Sequence, residues 1–186
     1  MDKLRNDFDL EIKYKPFFLH PEIPEGGLPI EQFYGGNRAY FAQVKDHFKK
    51  MANDVGLPVD EITVIANTKL ALMLGEYAQE QGRHEAYHRA VFHAYWAEGK
   101  NIGEWDVLSE IMAKLDLALS ASYMAARYQD LSHAVDAQFN SARMMGINAI
   151  PTFVFGDERI VGAQPYEVIK SLMEQTLSKL QGEQSG

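Results

Sequence analysis

Gly146-Ile-Asn-Ala-Ile-Pro-Thr-Phe-Val-Phe155, followed by Gly162-Ala-Gln-Pro165, is the stretch on which the fold turns. Thr152 to Phe155 is a short apolar run with β-branched and aromatic residues, which predicts a strand. Ile150 precedes Pro151 at the mouth of that strand. A β-branched residue before proline is what a cis-proline turn needs, and proline lowers the cis penalty to ~0.5–1 kcal/mol. Such a turn leaves main-chain groups of the preceding residue free to bind an extended peptide. The competing reading is an ordinary trans bond at the first residue of a strand. Gly156-Asp157 forms a turn and Arg159-Ile-Val161 a second strand, so the pair predicts a hairpin. Pro165 opens a helix from Tyr166 to about Leu180.

Upstream, the spacing predicts helices. One follows Asn37 as cap, through Phe41, Val44 and Phe48 to about Asn53. A long helical tract covers Thr68 to Glu98, divided by Gly82. Others cover Glu104 to Leu115 and Ser120 to Met145. His20 to Gly36 is rich in Pro and Gly and reads as a loop. Near the start, Leu10-Glu-Ile-Lys-Tyr-Lys alternates with period two before Pro16-Phe-Phe-Leu19, which reads as another strand. The order is strand, helices, hairpin, helix: an α/β arrangement with a large helical block inserted.

Composition narrows the classes. A chain of 186 residues buries roughly 70% of its unfolded surface and needs no staples. A net charge of −8 argues against nucleic acid as partner, because phosphate binding needs a basic face. No run approaches the ~20 apolar residues that span a membrane, so no membrane partner is expected. No export signal is visible at the charged N-terminus, and the cytoplasm is the expected location. The cysteine count is zero. Disulfides, thiolate nucleophiles and Cys-ligated metals are therefore outside the reach of this chain.

Several segments, in one order, are similar to a known family. The block around Ile150-Pro151 resembles the cis-Pro loop of the thioredoxin superfamily. Gly162-Ala-Gln-Pro165 resembles its DsbA-like branch, specifically FrnE-type proteins. Lys15-Pro-Phe-Phe-Leu-His-Pro21 resembles that branch's second strand and the loop leaving it. Asn67-Thr68 resembles its Asn-Thr at a helix start. Phe92-His-Ala-Tyr-Trp96 and Gly99-Lys-Asn-Ile-Gly103 resemble its insertion-domain blocks. The resemblance implies a thioredoxin-like α/β fold with a large all-helical insertion. Residues 1–20 and 147–186 would form the thioredoxin-like part, and 21–146 the loop and helical insertion. It implies protein-disulfide oxidoreductase or isomerase activity, with Ile150, Pro151 and Thr152 binding a polypeptide or small-thiol substrate.

The chain also departs from that family. FrnE-type proteins begin with a strand and a Cys-Pro-X-Cys-like segment at a helix start, where the helix N-terminus lowers the thiol pKa. Met1 to Phe8 resembles only the last turns of that helix, so the expected protein is a truncated form, redox-inactive as it stands. No catalytic residue, metal or cofactor is assigned. Ala149-Ile150-Pro151 stands for the usual Gly-Val-Pro, and Leu72 where relatives often have His. Hydroxychromene-carboxylate isomerases and kappa-class glutathione transferases share the fold and carry serine in place of cysteine, which makes them the alternative. A non-catalytic peptide-binding or assembly module is another.

Without the strand that precedes the Cys-X-X-Cys, a gap of ~9–10 Å would open in the sheet, twice the strand spacing. Either Glu11–Phe17 moves inward to pair antiparallel with Thr152–Phe155, or another chain donates a strand, as in a homodimer formed by strand exchange.

Two further patterns compete for attention. His84-Glu-Ala-Tyr-His88 fits H-E-x-x-H, a zinc pattern, but no third ligand is evident and the polar surroundings predict surface histidines. Structural roles are expected for His20, His47, His93 and His133. The aromatic stripe Phe33, Tyr34, Tyr40, Phe41 and Phe48 predicts packing in the insertion. Met144 and Met145 could line a groove, with core packing the favoured expectation.

Overall fold

The computed structural model describes residues 2–183. It divides into two compact units, one built from the residues up to Leu19 together with those from Gln138 onward, the other from His20–Ala137.

The second unit is helical. Helix α3 (Arg38–Asp54) starts at Asn37, whose side-chain oxygen accepts from the Tyr40 N–H at 3.1 Å and satisfies one of the orphan donors of the first turn. Helices α4 (Lys69–Glu80) and α5 (His84–Trp96) are separated at Gly82, whose φ of +68° is a left-handed conformation that side chains disfavour. Helix α6 (Trp105–Lys114) follows. Helix α7 (Ala121–Met144) runs out of this unit into the other. Their apolar stripes bury Met73, Leu74, Ala78, Tyr87, Val91, Leu108, Met112, Leu131 and Val135. The Tyr87 hydroxyl donates to the Ala71 carbonyl at 2.9 Å, so its buried polar atom is satisfied, and burial holds the phenol protonated. Asn67 ties the start of α4 down. Its amide donates to the Ile23 carbonyl at 2.6 Å and its oxygen accepts from the Lys69 N–H at 3.0 Å.

The segment read as a loop before α3 is more ordered than its composition suggests. It holds β1 (Leu28–Pro29), paired antiparallel with β2 (Val64–Ile65), and a single helical turn, α2 (Ile30–Phe33). Proline and glycine mark turns locally, but a two-residue bridge forms only because the distant β2 supplies its partner.

In the first unit, α1 (Asp2–Asp7) and α8 (Tyr166–Glu183) pack with a hairpin of β3 (Thr152–Phe155) and β4 (Glu158–Val161). Gly156, with φ of +58°, makes the two-residue turn. The register Thr152↔Val161, Phe153↔Ile160, Val154↔Arg159, Phe155↔Glu158 puts Phe153, Phe155 and Ile160 on one face. That face packs on a core of Leu4, Ile169 and Met173, with Phe8, Leu10 and Tyr166 around it. Phe17 and Phe18 meet Phe139 edge-on, with centroids 5.1 and 5.2 Å away.

The strand expected near Leu10 is not formed. Residues 10–18 form no regular element; burial alternates from Leu10 through Pro16, yet no ladder joins them to any described strand. Period two sets which side chains face inward, but a strand also needs a neighbour within hydrogen-bonding distance. The inward shift of Glu11–Phe17 onto Thr152–Phe155 is likewise absent: β3 pairs with β4 alone among the described residues.

α1 and α8 are joined by a polar clamp. The Tyr166 hydroxyl and the Lys170 ammonium, the latter at 2.7 Å, both donate to one Asp7 carboxylate oxygen. The Lys170 bond first, then that of Tyr166, hold the Asp7 carboxyl below its ordinary 3.8, while Asp7 pushes the Tyr166 phenol above its ordinary 10.0. A depressed carboxyl pKa adds stability above the ordinary value that is lost as pH falls through the folded one. A raised phenol pKa adds stability below its ordinary value that is lost as pH rises through the folded one. The stability difference between the native chain and Tyr166→Phe should therefore be widest between about pH 4 and 10 and shrink at both ends. Urea denaturation at pH 3, 7 and 11 measures it, and a difference independent of pH would contradict the clamp.

Candidate functional site

The apolar run that starts at Thr152 is entered from the loop 149–151, and this junction carries the candidate binding residues. The Ile150–Pro151 peptide bond is cis. Ile150 is 46% exposed, Pro151 is exposed and Thr152 is half-buried. Thr152 Oγ1 donates to the Ala149 carbonyl at 2.7 Å, which closes the turn on itself. The Gly162 N–H donates to the Pro151 carbonyl at 2.7 Å, so the two motifs of the sequence, around Pro151 and from Gly162, meet across the hairpin.

That bond extends the β3–β4 ladder by one step and determines which main-chain groups point where. Those of Pro151, Phe153 and Phe155 face β4. By the alternation of an antiparallel pair, those of Thr152 and Val154 face the open edge. Among the described residues, neither the N–H nor the C=O of Ile150 is hydrogen-bonded.

The face of the hairpin opposite the core carries Val154 and Val161, both over 40% exposed. Arg159 lies directly opposite Val154 in register, and its guanidinium donates to the Met145 carbonyl at 2.7 Å. This bond pins the end of α7 beside β4, which local sequence did not announce, since an arginine on an outward strand position reads as a solvated side chain. Met144 and Met145 are not core residues: they are 89% and 53% exposed. They sit at the very end of α7, Met144 as its last residue and Met145 just beyond it, off the helix's packed stripe.

The histidine pair behaves differently from its sequence reading. His84 and His88 are half-buried, not surface residues. Their rings stack at 6.1 Å, and His88 packs on Phe92 at 4.3 Å. His84 Nδ1 lies 3.1 Å from the Gly75 carbonyl. Burial, then the neighbouring His84, lower the His88 pKa below 6.5. The α4–α5 turn folds the polar stretch back over α4, which local polarity does not reveal. No group of three His, Asp or Glu with metal-binding geometry occurs among the described residues. In the aromatic stripe, Phe33, Tyr34 and Phe41 pack in sequence, while Tyr40 and Phe48 stay exposed. No helix among the described residues is long and apolar enough to cross a membrane.

Comparison with known proteins agrees with this geometry. YwbO, an uncharacterized protein of Bacillus subtilis (strain 168), is 27% identical over 177 residues, covering 92% of this chain and 84% of its own. Among solved structures, one described as a probable DsbA oxidoreductase from Streptomyces coelicolor superposes with a TM-score of 0.78 at 23% identity, over 90% of this chain and 76% of that one. A 2-hydroxychromene-2-carboxylate isomerase superposes with a TM-score of 0.75 at 19% identity, over 100% of this chain and 90% of that one. At these identities the two structures speak to the fold. The sequence profile of the DSBA-like thioredoxin domain matches residues 1–174. Match, fold and loop agree: the chain belongs to the DSBA-like thioredoxin domain family.

Proposed function

We propose that this chain binds an extended polypeptide at the Ile150–Pro151–Thr152 loop and performs no thiol–disulfide exchange of its own. The observation that carries the reading is Ile150. Its side chain is exposed, its main-chain donor and acceptor are unengaged among the described residues, and the loop around it is held by two hydrogen bonds. An extended peptide can pair with that main chain, while exposed Val154 and Met145 offer adaptable apolar surface. Disulfide oxidoreductase or isomerase activity, which the FrnE-type resemblance implies, needs a thiolate from outside this chain.

A second reading is favoured by the zero cysteine count. Enzymes of the hydroxychromene-carboxylate isomerase and kappa glutathione-transferase type carry serine where DsbA has cysteine. The same loop would then hold the small thiol glutathione.

The test is fluorescence anisotropy with a labelled decapeptide of alternating valine and threonine. Ile150→Asp should weaken binding at least ~10-fold, because the bound peptide would cover a carboxylate in place of an apolar contact. Ile150→Val should bind like the native chain. Equal binding by the Asp variant, or no binding at millimolar peptide, would overturn the reading. Calorimetric glutathione binding abolished by Ile150→Asp, without peptide binding, would favour the second one.

A further inference from the structure

We infer that α3 is one half of an antiparallel helix pair that joins two copies of this chain. Phe41, Val44, Phe48 and Met51 of α3 and Val55 at its C-cap follow one another at alternating steps of three and four, the a and d positions of a heptad. The helices α4, α5 and α6 of the same unit each bury their apolar stripes. No described residue of α3 is buried. Phe41 is half-covered by Tyr34, at 5.5 Å between ring centroids. Further along, Phe48 touches Trp96 at 5.4 Å but stays 44% exposed, Met51 is 39% exposed and Val55 69%. The seam therefore opens toward its C-terminal end and lacks a cover there.

The pattern selects the occupant. The open stripe is narrow and has Lys45 on one flank and His47 and Asp54 on the other, as a coiled-coil seam does. A helix lying on a bilayer needs a broad apolar face and a uniformly basic polar one, whereas α3 mixes Asp46 and Asp54 with Lys49 and Lys50. The seam is also complementary to itself when reversed. Pairing Phe48 with Met51 of the second copy places Val44 against its Val55, and both layers recur on the other side of the two-fold axis. The same register sets His47, a hydrogen-bond donor, beside the Asp54 carboxylate of the second copy. Lys45 takes no part, because it already holds Glu61 at 2.6 Å. With Tyr40 and Leu57 adjoining, also exposed, the pair covers roughly 1,000 Å² in total, below the size of a standard stable interface, so a weak, reversible dimer is expected.

Analytical ultracentrifugation of the full chain from 1 to 200 μM tests the inference. A monomer–dimer equilibrium is expected, weakened at least tenfold by Phe48→Glu or by Val55→Glu. Both positions are exposed, and circular dichroism checks that the variants are folded. The natural absence of cysteine gives a second readout. Mixed under oxidation, a Phe48→Cys chain and a Met51→Cys chain should cross-link to each other in preference to themselves. A chain monomeric throughout the range would refute the pairing. So would a dimer indifferent to Phe48→Glu, or one lost instead with Val154→Pro, which would mark strand exchange at β3. Flotation of a monomeric native chain with phosphatidylserine vesicles, abolished by Phe48→Glu, would assign the seam to a lipid surface and equally overturn it.

Discussion

Insulin incubated with this chain and dithiothreitol should precipitate no faster than with dithiothreitol alone, and scrambled ribonuclease should not regain activity. Disulfide exchange begins when a thiolate attacks a disulfide sulfur and forms a mixed disulfide. That step needs a sulfur that can lose a proton. The eight methionines have thioether sulfurs that cannot, and the chain has no cysteine. The loop at Ile150 can hold a substrate, but holding does not break the bond. The expected effect is therefore complete absence, and the protein's mass should not change after treatment with an aromatic disulfide reagent. Turnover above the control, in a preparation free of other oxidoreductases, would contradict it.

Leu74→Ala should be among the most damaging of the conservative core substitutions. Leu74 is 0% exposed on α4, among Met73, Ala78 and other fully buried side chains. Removing three carbons from such a site costs the transfer energy of those atoms and leaves a cavity, together about 2–5 kcal/mol. Native domains are stable by only about 5–15 kcal/mol, so much of the margin goes. For a chain of this length each kcal/mol lowers Tm by roughly 2–4 °C, which puts the drop near 4–20 °C. Thermal unfolding followed by circular dichroism measures it. A shift under about 2 °C would mean that the helices close over the cavity, contrary to tight packing at this position. Leu74→Met should be nearly neutral, because it conserves volume.

These outcomes differ in how far sequence could foresee them. The absence of cysteine is a count. The helices α3 to α7 were legible because each carries a stripe of period 3.6 and a local stop: Asn37 caps one and Gly82 divides two others. The hairpin was legible because its turn is two residues long and its strands are neighbours in sequence. The bridge of Leu28–Pro29 with Val64–Ile65 was not, because its halves lie more than thirty residues apart. The stretch from Leu10 to Pro16 shows the opposite failure. Its alternation is present in the burial pattern, yet no strand lies beside it to complete a ladder. In the candidate site, Ile150, Pro151 and Thr152 were readable as one contiguous motif. Arg159 was not, since its bond to the Met145 carbonyl depends on where α7 ends in space.

By itself the sequence determined the chemistry that is missing, the helices from α3 onward with their hairpin, the helix stripes and the loop that carries the candidate site. All of these depend on residue identity or on intervals of a few residues, which local geometry converts directly into structure. Tertiary structure alone decided which faces are covered. His84 and His88 are drawn inward, Met144 and Met145 are left outside, and the seam of α3 is open over half its length. Burial belongs to pairs of segments brought together by the whole fold, so the same apolar side chain becomes core or surface according to what lands upon it.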